Sequence, residues 1–197
     1  MPIVGAEQLA ELAAALDRGE VVAIPTETVY GLAARADEAA AVERMAALKG
    51  RAPGQPFQLL IDPVAAVLPL LAEPATLERV RALWPGPLTA VVRARPGVAL
   101  AVVTAAGTVG VRQPADALAR AVIRAAGGVL AATSANRSGD APATSAAEVA
   151  RSFGDALLVL DGGERSGLAA STVVDLTSDP PLLLREGPIT ARQLGIA

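Results

Sequence analysis

A dense polar segment, PTETVYG, follows the short apolar run at residues 21–24. It places two hydroxyls, a carboxylate and the only tyrosine of the chain within a few positions, at Thr26, Glu27, Thr28 and Tyr30. A Thr-Glu pair is typical of a helix start, where both side chains cap backbone N–H groups. Capping accounts for the glutamate and one threonine, but not for both hydroxyls together with the tyrosine. We therefore predict that this segment contributes to a binding surface.

Two further motifs contain the rarest residues of the chain. Lys49 is the single lysine among 17 basic residues, and it lies two positions before Arg51. A cation at a helix end can simply complement the helix dipole. Asn136, the only asparagine, follows Ser134 in TSAN, a spacing that turns use for side-chain to backbone hydrogen bonds. The same hydroxyl and amide groups could instead bind a ribose or a phosphate.

Phosphate recognition would have to come from side chains. The loop DGGERSG lacks the G-x-x-x-x-G-K-[ST] spacing of a phosphate-binding loop, and we interpret it as a turn. No dinucleotide-binding glycine motif is present either. Lysine, arginine and hydroxyl groups would therefore hold any nucleotide, and Arg112 and Arg185, each at the end of a predicted strand, are the cationic candidates.

Composition excludes several classes of chemistry. The chain has no cysteine, which excludes disulfides, thiolate nucleophiles and zinc knuckles, and no histidine, which excludes Ser-His-Asp triads. The formal charge of -3 gives no general attraction to nucleic acid. Without an apolar run long enough for a membrane span or a secretion signal, the sequence predicts a soluble, cytoplasmic protein with no membrane partner.

These residues must be positioned by an α/β scaffold. Strand patterns such as VVAI, PFQLLI, LTAVVRA, TVGVR, VLAAT, ALLVLD, TVVDL and PLLLRE alternate with helical patterns that end on glycine. Further helices are predicted for PATLERVRALW and from Asp62-Pro63 onward, and the closing strands favour a mixed sheet. We expect one domain over residues 1–197. Because ligand sites of α/β sheets lie beyond strand ends, the clusters PTETVYG, KGR, TSANRSG and REG are expected to share one pocket.

Seven blocks in this order give a family resemblance. PTETVYGL, LKGR…QPF, WPGPLT, TVGVR.P, TSANRSG…AT, STVVDL and LLREG.I resemble the YrdC/Sua5 family over nearly the whole chain, in its short, single-domain form. Members are L-threonylcarbamoyladenylate synthases, which make the activated intermediate for the t6A modification of tRNA. The resemblance implies a twisted mixed α/β sheet around a large basic cavity. It also implies a reaction of ATP, L-threonine and bicarbonate, with Mg²⁺ accompanying the ATP.

The resemblance also implies roles for individual residues. The catalytic cations are Lys49 and Arg51, which should hold the ATP phosphates. Further ATP contacts are expected from Gln55, Thr108, Asn136, Thr144 and Arg185. Threonine contacts are expected from Thr28, Arg112, Ser134 and Ser171, with Arg112 pairing with the carboxylate. The pocket wall is expected to include Thr26, Glu27, Tyr30 and Leu60, and no metal ligand is expected among the protein side chains.

One departure from the family pattern concerns Leu60. Many members carry a histidine here, beside the threonine, in a stretch NPLIVH that reads QPFQLL in this chain. The PF version resembles a sister branch, YciO-like proteins, and leaves an RNA-binding or ribosome-associated protein as the alternative. The acidic charge balance argues against that alternative.

A third hypothesis is a carbamoyl-adenylate module like that of hydrogenase-maturation carbamoyltransferases. Such modules lie in much longer chains with zinc-finger parts, of which this sequence has none. For the synthase, the expected partners are the t6A transferase proteins that act on adenosine 37, with any contact to tRNA indirect.

Overall fold

The computed structural model describes residues 3–51, 56–167 and 170–196. Ten strands in these ranges form one sheet: β1 (Ile3–Val4), β2 (Val22–Pro25), β3 (Tyr30–Arg35), β4 (Gln58–Ile61), β5 (Leu88–Arg93), β6 (Thr108–Arg112), β7 (Val129–Ser134), β8 (Leu158–Leu160), β9 (Thr172–Asp175) and β10 (Leu182–Arg185). Their spatial order is β1-β8-β2-β3-β7-β4-β6-β5-β9-β10. The pairs β1–β8, β2–β8, β4–β6 and β5–β9 are parallel and the others antiparallel, so the expected mixed sheet is confirmed.

The α-helices of these ranges are α1 (Leu9–Asp17), α2 (Ala39–Lys49), α3 (Ala117–Ala125), α4 (Ala146–Phe153) and α5 (Ala191–Leu194). Their ends follow local chemistry. Asp116 and Ser145 cap α3 and α4 by accepting a hydrogen bond from the backbone N–H three residues later. Gly50 ends α2 with φ of 63°, in the left-handed region that glycine adopts without strain. This termination places Lys49 and Arg51 on either side of the helix end.

Two predictions of α-helices were wrong, because both segments form 3₁₀ structure. The segment PATLERVRALW forms two 3₁₀ helices, Pro74–Arg79 and Arg81–Leu83, which meet at the buried Val80. The chain after Asp62 forms short 3₁₀ turns, and Asp62 does not cap them. Its carboxylate accepts hydrogen bonds from Gln113 and Arg124 instead.

The strand β3 was missed by the sequence prediction. Its residues YGLAAR are almost all buried, so the polar alternation that would reveal a half-exposed strand is absent. Because β2 and β3 are antiparallel neighbours with Pro25 opposite Tyr30, the polar segment is the turn of a hairpin. It does not begin a helix.

The sheet has two differently covered faces. One face packs on α2, α4 and the 3₁₀ turns, through residues such as Met45, Leu59 and Phe153. On the other face α1 and α3 bury a smaller cluster that includes Val22, Ile24 and Leu130. That cluster reaches Leu60 and Ala132, which also line a cavity where the face is left open. Within the described ranges, no helix has the length and apolar character needed to cross a membrane.

Candidate functional site

A cavity of about 780 Å³ lies on the open part of the sheet face. Strands β3 to β7, β9 and β10 contribute side chains to it, and so do the polar turn after β2 and the segment after β7. Twelve of the residues expected in the site line it: Thr26, Thr28, Tyr30, Lys49, Arg51, Leu60, Thr108, Arg112, Ser134, Asn136, Ser171 and Arg185. The clusters that were expected to share a pocket therefore do so.

Lys49 connects the end of α2 to the TSAN segment. Its side chain is buried, and Nζ lies 2.8 Å from the Ser134 carbonyl oxygen and 2.9 Å from Asn136 Oδ1. Nζ also lies 3.2 Å from both Ser134 Oγ and the Asn136 carbonyl oxygen. Burial, and then the neighbouring Arg51 cation, lower the pKa of this ammonium to about 8. Lys49 thus holds a loop that is distant in sequence. Its pKa lies only slightly above neutral pH.

The loop it organises is also held from within. Ser134 Oγ donates to Asn136 Oδ1 at 2.6 Å, and Asn136 Nδ2 donates to the carbonyl oxygens of Arg137 and Asp140. The amide nitrogen of Asn136 thus makes the side-chain to backbone hydrogen bonds that the turn interpretation of TSAN predicted. Because Ser134 and Asn136 also line the cavity, a turn and a binding surface coexist in this segment.

Arg51 is positioned by an aromatic ring and a hydroxyl. Its guanidinium lies 4.6 Å from the centre of the Phe57 ring, and Nη1 donates to Thr133 Oγ1 at 2.9 Å. Burial lowers the pKa of Arg51. Its Nε is buried and makes no hydrogen bond to any residue in the described ranges. Buried donors of this kind are rare in proteins unless something else satisfies them.

Arg112 is held from behind by Glu27. Arg112 Nη2 donates to Glu27 Oε1 at 2.7 Å, and the other carboxylate oxygen accepts from the Ala115 backbone N–H at 3.2 Å. The Arg112 side chain is 5% exposed, and its Nε too has no partner within the described part of the chain. Glu27 is absent from the described lining of the cavity. It therefore positions Arg112, where the sequence predicted a wall residue.

Arg185 and Ser171 meet at the far side of the cavity. Arg185 donates from Nε and Nη2 to the Ser171 carbonyl oxygen at 3.0 and 2.7 Å, and from Nη2 to Ser171 Oγ at 3.2 Å. Burial, and then the nearby Arg112 cation, lower the pKa of Arg185. Two guanidinium groups that repel one another across a cavity favour an anion between them.

The polar hairpin turn divides its residues between structure and site. Thr26 Oγ1 donates to the Val29 carbonyl oxygen at 2.7 Å and lies 3.1 Å from Thr28 Oγ1, so it fixes the turn that presents Thr28. The Tyr30 hydroxyl donates to the Gly163 carbonyl oxygen at 2.9 Å and accepts from the Gly162 N–H at 3.0 Å. Burial raises the pKa of this phenol. Tyr30 thus anchors the DGGERSG segment, which is an irregular loop.

The remaining predicted residues have different outcomes. Thr108 lines the cavity and lies 2.7 Å, oxygen to oxygen, from Thr104. Thr144 donates from its N–H and hydroxyl to the carboxylate of Glu148 and, among the described residues, is not part of the lining. Gln55 lies outside the described residues.

Sequence reasoning missed several lining residues. Gln58, Thr89, Arg93, Thr104 and Thr133 contribute polar groups to the cavity. The strand patterns of β4 and β5 could have indicated Gln58 and Thr89, since each is a polar residue directly before a run of apolar ones.

The lining is strongly cationic. Its charged members in the described ranges are five cations, Lys49, Arg51, Arg93, Arg112 and Arg185, and one carboxylate, Asp175. The chain as a whole carries a net charge of -3. The positive charge is therefore concentrated in the cavity, which suits a polyanionic ligand.

Comparison with known proteins gives a family match. The model of the Sua5/YciO/YrdC family, described as "Telomere recombination", matches residues 14–187. A Bacillus subtilis protein named threonylcarbamoyl-AMP synthase is 40% identical over 95% of this chain, which spans 55% of that protein. A protein of the same name from Chromohalobacter salexigens is 39% identical over 90% of this chain and is 97% covered. The chain thus spans about half of the first relative and nearly all of the second.

Solved structures match as well. The structure of P. abyssi Sua5 in complex with L-threonine superimposes with a TM-score of 0.92 at 34% identity, covering 98% of this chain and 60% of that one. Escherichia coli YciO superimposes with a TM-score of 0.84 at 23% identity, over 96% of this chain and 93% of that one. The second likeness shows the fold alone.

Proposed function

The chain belongs to the Sua5/YciO/YrdC family, and we propose that it is a threonylcarbamoyl-AMP synthase. The reaction joins L-threonine, bicarbonate and ATP into threonylcarbamoyl-AMP, and releases diphosphate and water. The observation that carries the proposal is the cavity, in which five cations and the lysine-bound Ser-x-Asn loop come together. Relatives named for this activity at about 40% identity support it.

The chemistry suits a site without histidine or cysteine. The threonine amine attacks the carbon of bicarbonate and water is lost, which gives a carbamate. A carbamate oxygen then attacks the α-phosphorus of ATP as diphosphate leaves. Such a displacement at phosphorus depends mainly on positioning and on neutralising charge. Preorganised cations that line a concave cavity supply both effects.

The contacts suggest a division of the cavity. Arg51, with its buried Nε unpaired among the described residues, is proposed to hold the ATP phosphates together with Lys49. Arg112, fixed by Glu27, is proposed to bind the threonine carboxylate in the two-pronged geometry that guanidinium favours. Thr108, Asn136 and Arg185 are assigned to ATP, and Thr28, Ser134 and Ser171 to threonine.

Mg²⁺ is proposed to enter with the ATP. In the described part of the chain, no three His, Cys, Asp or Glu side chains lie close enough together to hold a metal ion. Among the described residues that line the cavity, Asp175 alone carries a carboxylate. That donor set fits an ion held mainly by phosphate oxygens and water, as Mg²⁺ commonly is. The ion would neutralise phosphate charge, while the protein cations position the phosphates.

Pyrophosphate release by the purified protein tests the proposal. ATP and magnesium are supplied, and threonine and bicarbonate are each omitted in turn; release is expected to require both. ATP binding without such release would contradict the synthase and favour the RNA-binding alternative raised by Leu60, with RNA as the next ligand to test.

The product is proposed to pass in the cytoplasm to a t6A transferase acting on tRNA.

A further inference from the structure

A line of hydrogen bonds crosses the floor of the cavity. It begins at Arg185, whose Nη2 donates to Ser171 Oγ at 3.2 Å, and Ser171 Oγ lies 2.9 Å from Thr89 Oγ1. Thr89 Oγ1 in turn donates to Gln58 Oε1 at 2.8 Å. The line joins β10, the residue before β9, β5 and β4. None of these contacts could be inferred from sequence neighbours.

Gly110 permits the last step. It lies on β6 opposite both Gln58 and Val91, so β6 separates the strand of Gln58 from that of Thr89. A Cβ atom at Gly110 would lie 3.1 Å from Thr89 Cγ2 and 3.6 Å from Gln58 Cβ. Because glycine has no side chain, the two polar groups meet across the intervening strand. A larger residue would press against both.

The donors and acceptors along this line of hydrogen bonds are fixed, and they determine the orientation of the Gln58 amide. Thr89 has one hydroxyl hydrogen, which goes to Gln58 Oε1, so Ser171 must donate to Thr89. The amide oxygen of Gln58 is therefore occupied. Its Nε2 makes no hydrogen bond to any residue of 3–51, 56–167 or 170–196, although Gln58 lines the cavity. Two N–H donors are left for an oxygen atom of a ligand.

The neighbours of Gln58 indicate which ligand oxygen its amide would bind. Leu60 is two residues further along β4, on the same face, and pairs in register with Arg112. Successive rows of one face lie about 7 Å apart along a strand. An amino acid whose carboxylate lies at Arg112 would thus extend over an apolar group at Leu60 and towards amide donors at Gln58. Threonine has a methyl group and a hydroxyl on one carbon atom, which matches this pair.

We propose that Gln58 is a specificity residue for the amino-acid substrate, with Nε2 donating to the side-chain hydroxyl of threonine. The inference rests on the proposed function. Thr89 and Ser171 position the amide, and Leu60 contacts the methyl group. Sites that hydrogen-bond a substrate hydroxyl reject analogues that lack it, because their polar groups are then left unpaired.

Calorimetric titration of the intact protein with threonine and with 2-aminobutyrate, which lacks only the hydroxyl, tests the inference. We expect wild type to prefer threonine by about tenfold, the effect of one hydrogen bond. Gln58→Met should remove the preference by weakening threonine binding, and Thr89→Val should reduce it. Thr108→Val is the matched change on the ATP side, and it should weaken ATP binding while keeping the preference. Thermal melts verify that each variant is folded.

Two outcomes would overturn the inference, and they differ. If wild type binds threonine and Gln58→Met keeps the full preference over 2-aminobutyrate, Gln58 does not read the hydroxyl, and the proposed function stands. If wild type binds neither amino acid, the proposed function fails and the role of Gln58 fails with it. Titration reports binding without turnover, so the two failures are distinguishable.

Discussion

One face of the sheet consists of two regions with opposite character. Where α1 and α3 cover it, the buried side chains are aliphatic, such as Ile24 and Leu130. Where no helix of the described ranges covers it, the same and neighbouring strands present Gln58, Thr89 and Arg112 to the cavity. The strands β4 and β7 contribute to both regions. The difference shows that the helix layer, and not the strand, decides whether an inward position must be apolar.

The covered region should control stability without affecting binding. Ile123 lies on α3, fully buried in the covered region. Ile123→Ala should lower the free energy of unfolding by about 2–5 kcal/mol, because it removes buried methyl groups and leaves a cavity. Chemical denaturation measures this loss. Threonine affinity of the folded protein should stay at the wild-type value; a parallel loss would mean that the two regions are not independent.

The open region should control binding through Arg112. Arg112→Ala should weaken threonine binding by about a hundredfold, since a charge-assisted bond to the carboxylate is lost, and should leave ATP affinity nearly unchanged. Titration with each ligand measures both. Because the substitution also leaves Glu27 without its cation, the double variant with Glu27→Gln separates lost binding from an unpaired carboxylate.

Arg35→Ala is the matched arginine control. It changes a strand arginine whose ion pairs with Asp17 and Asp37 are exposed and outside the cavity. Equal changes in threonine and ATP affinity for Arg112→Ala would contradict the proposed division of the cavity.

Lys49 should make turnover sensitive to pH. With its pKa near 8 in the folded protein, the ammonium loses its proton as the pH rises through 8, and pyrophosphate release should fall several-fold there. Lys49→Arg should move the fall to higher pH. Since this is the only lysine, its pKa can be measured directly by NMR of lysine-labelled protein. A measured value near 10.5 would contradict the effect of burial.

The lowered pKa of Lys49 should have the opposite effect on stability, which should rise with pH where turnover falls. The unfolded chain keeps the lysine proton up to about pH 10.5, whereas the folded chain releases it near pH 8. Between these values the unfolded state binds more protons, so the Lys49 contribution to the free energy of unfolding should rise with pH. Denaturation of wild type and Lys49→Met between pH 7.5 and 10 should show this rise in wild type only.

Leu60 lies at the boundary of the two regions and should give the smallest effect. It belongs to the apolar cluster, lines the cavity and is 1% exposed. Leu60→His, which restores the residue that many family members carry, should change threonine affinity by less than about tenfold and destabilise the fold slightly, because a polar ring enters an apolar cluster. Titration and thermal melts measure the two effects. A gain of much more than tenfold would mean that Leu60 leaves the threonine pocket incomplete.

Strong local signals predicted much of this molecule. Periodicity with glycine stops located α2 and α3, and the polar clusters identified side chains that meet in the cavity, such as Lys49, Ser134 and Arg185. The errors have physical causes. The strand β3 is buried on both faces and shows no alternation, and Asp62 uses its carboxylate for distant partners in place of a cap. Thr144 matched a motif, but its polar groups bind Glu148.

The sequence by itself determined the α/β class, the absence of histidine and cysteine chemistry, and the family through ordered motifs. Only the tertiary structure decided that Lys49 binds Ser134 and Asn136, that Glu27 supports Arg112, and that Gln58 meets Thr89 across Gly110. Periodicity tells which residues share a strand face. It does not tell which strands become neighbours, because strand order depends on long-range packing and on where the helices cover the sheet.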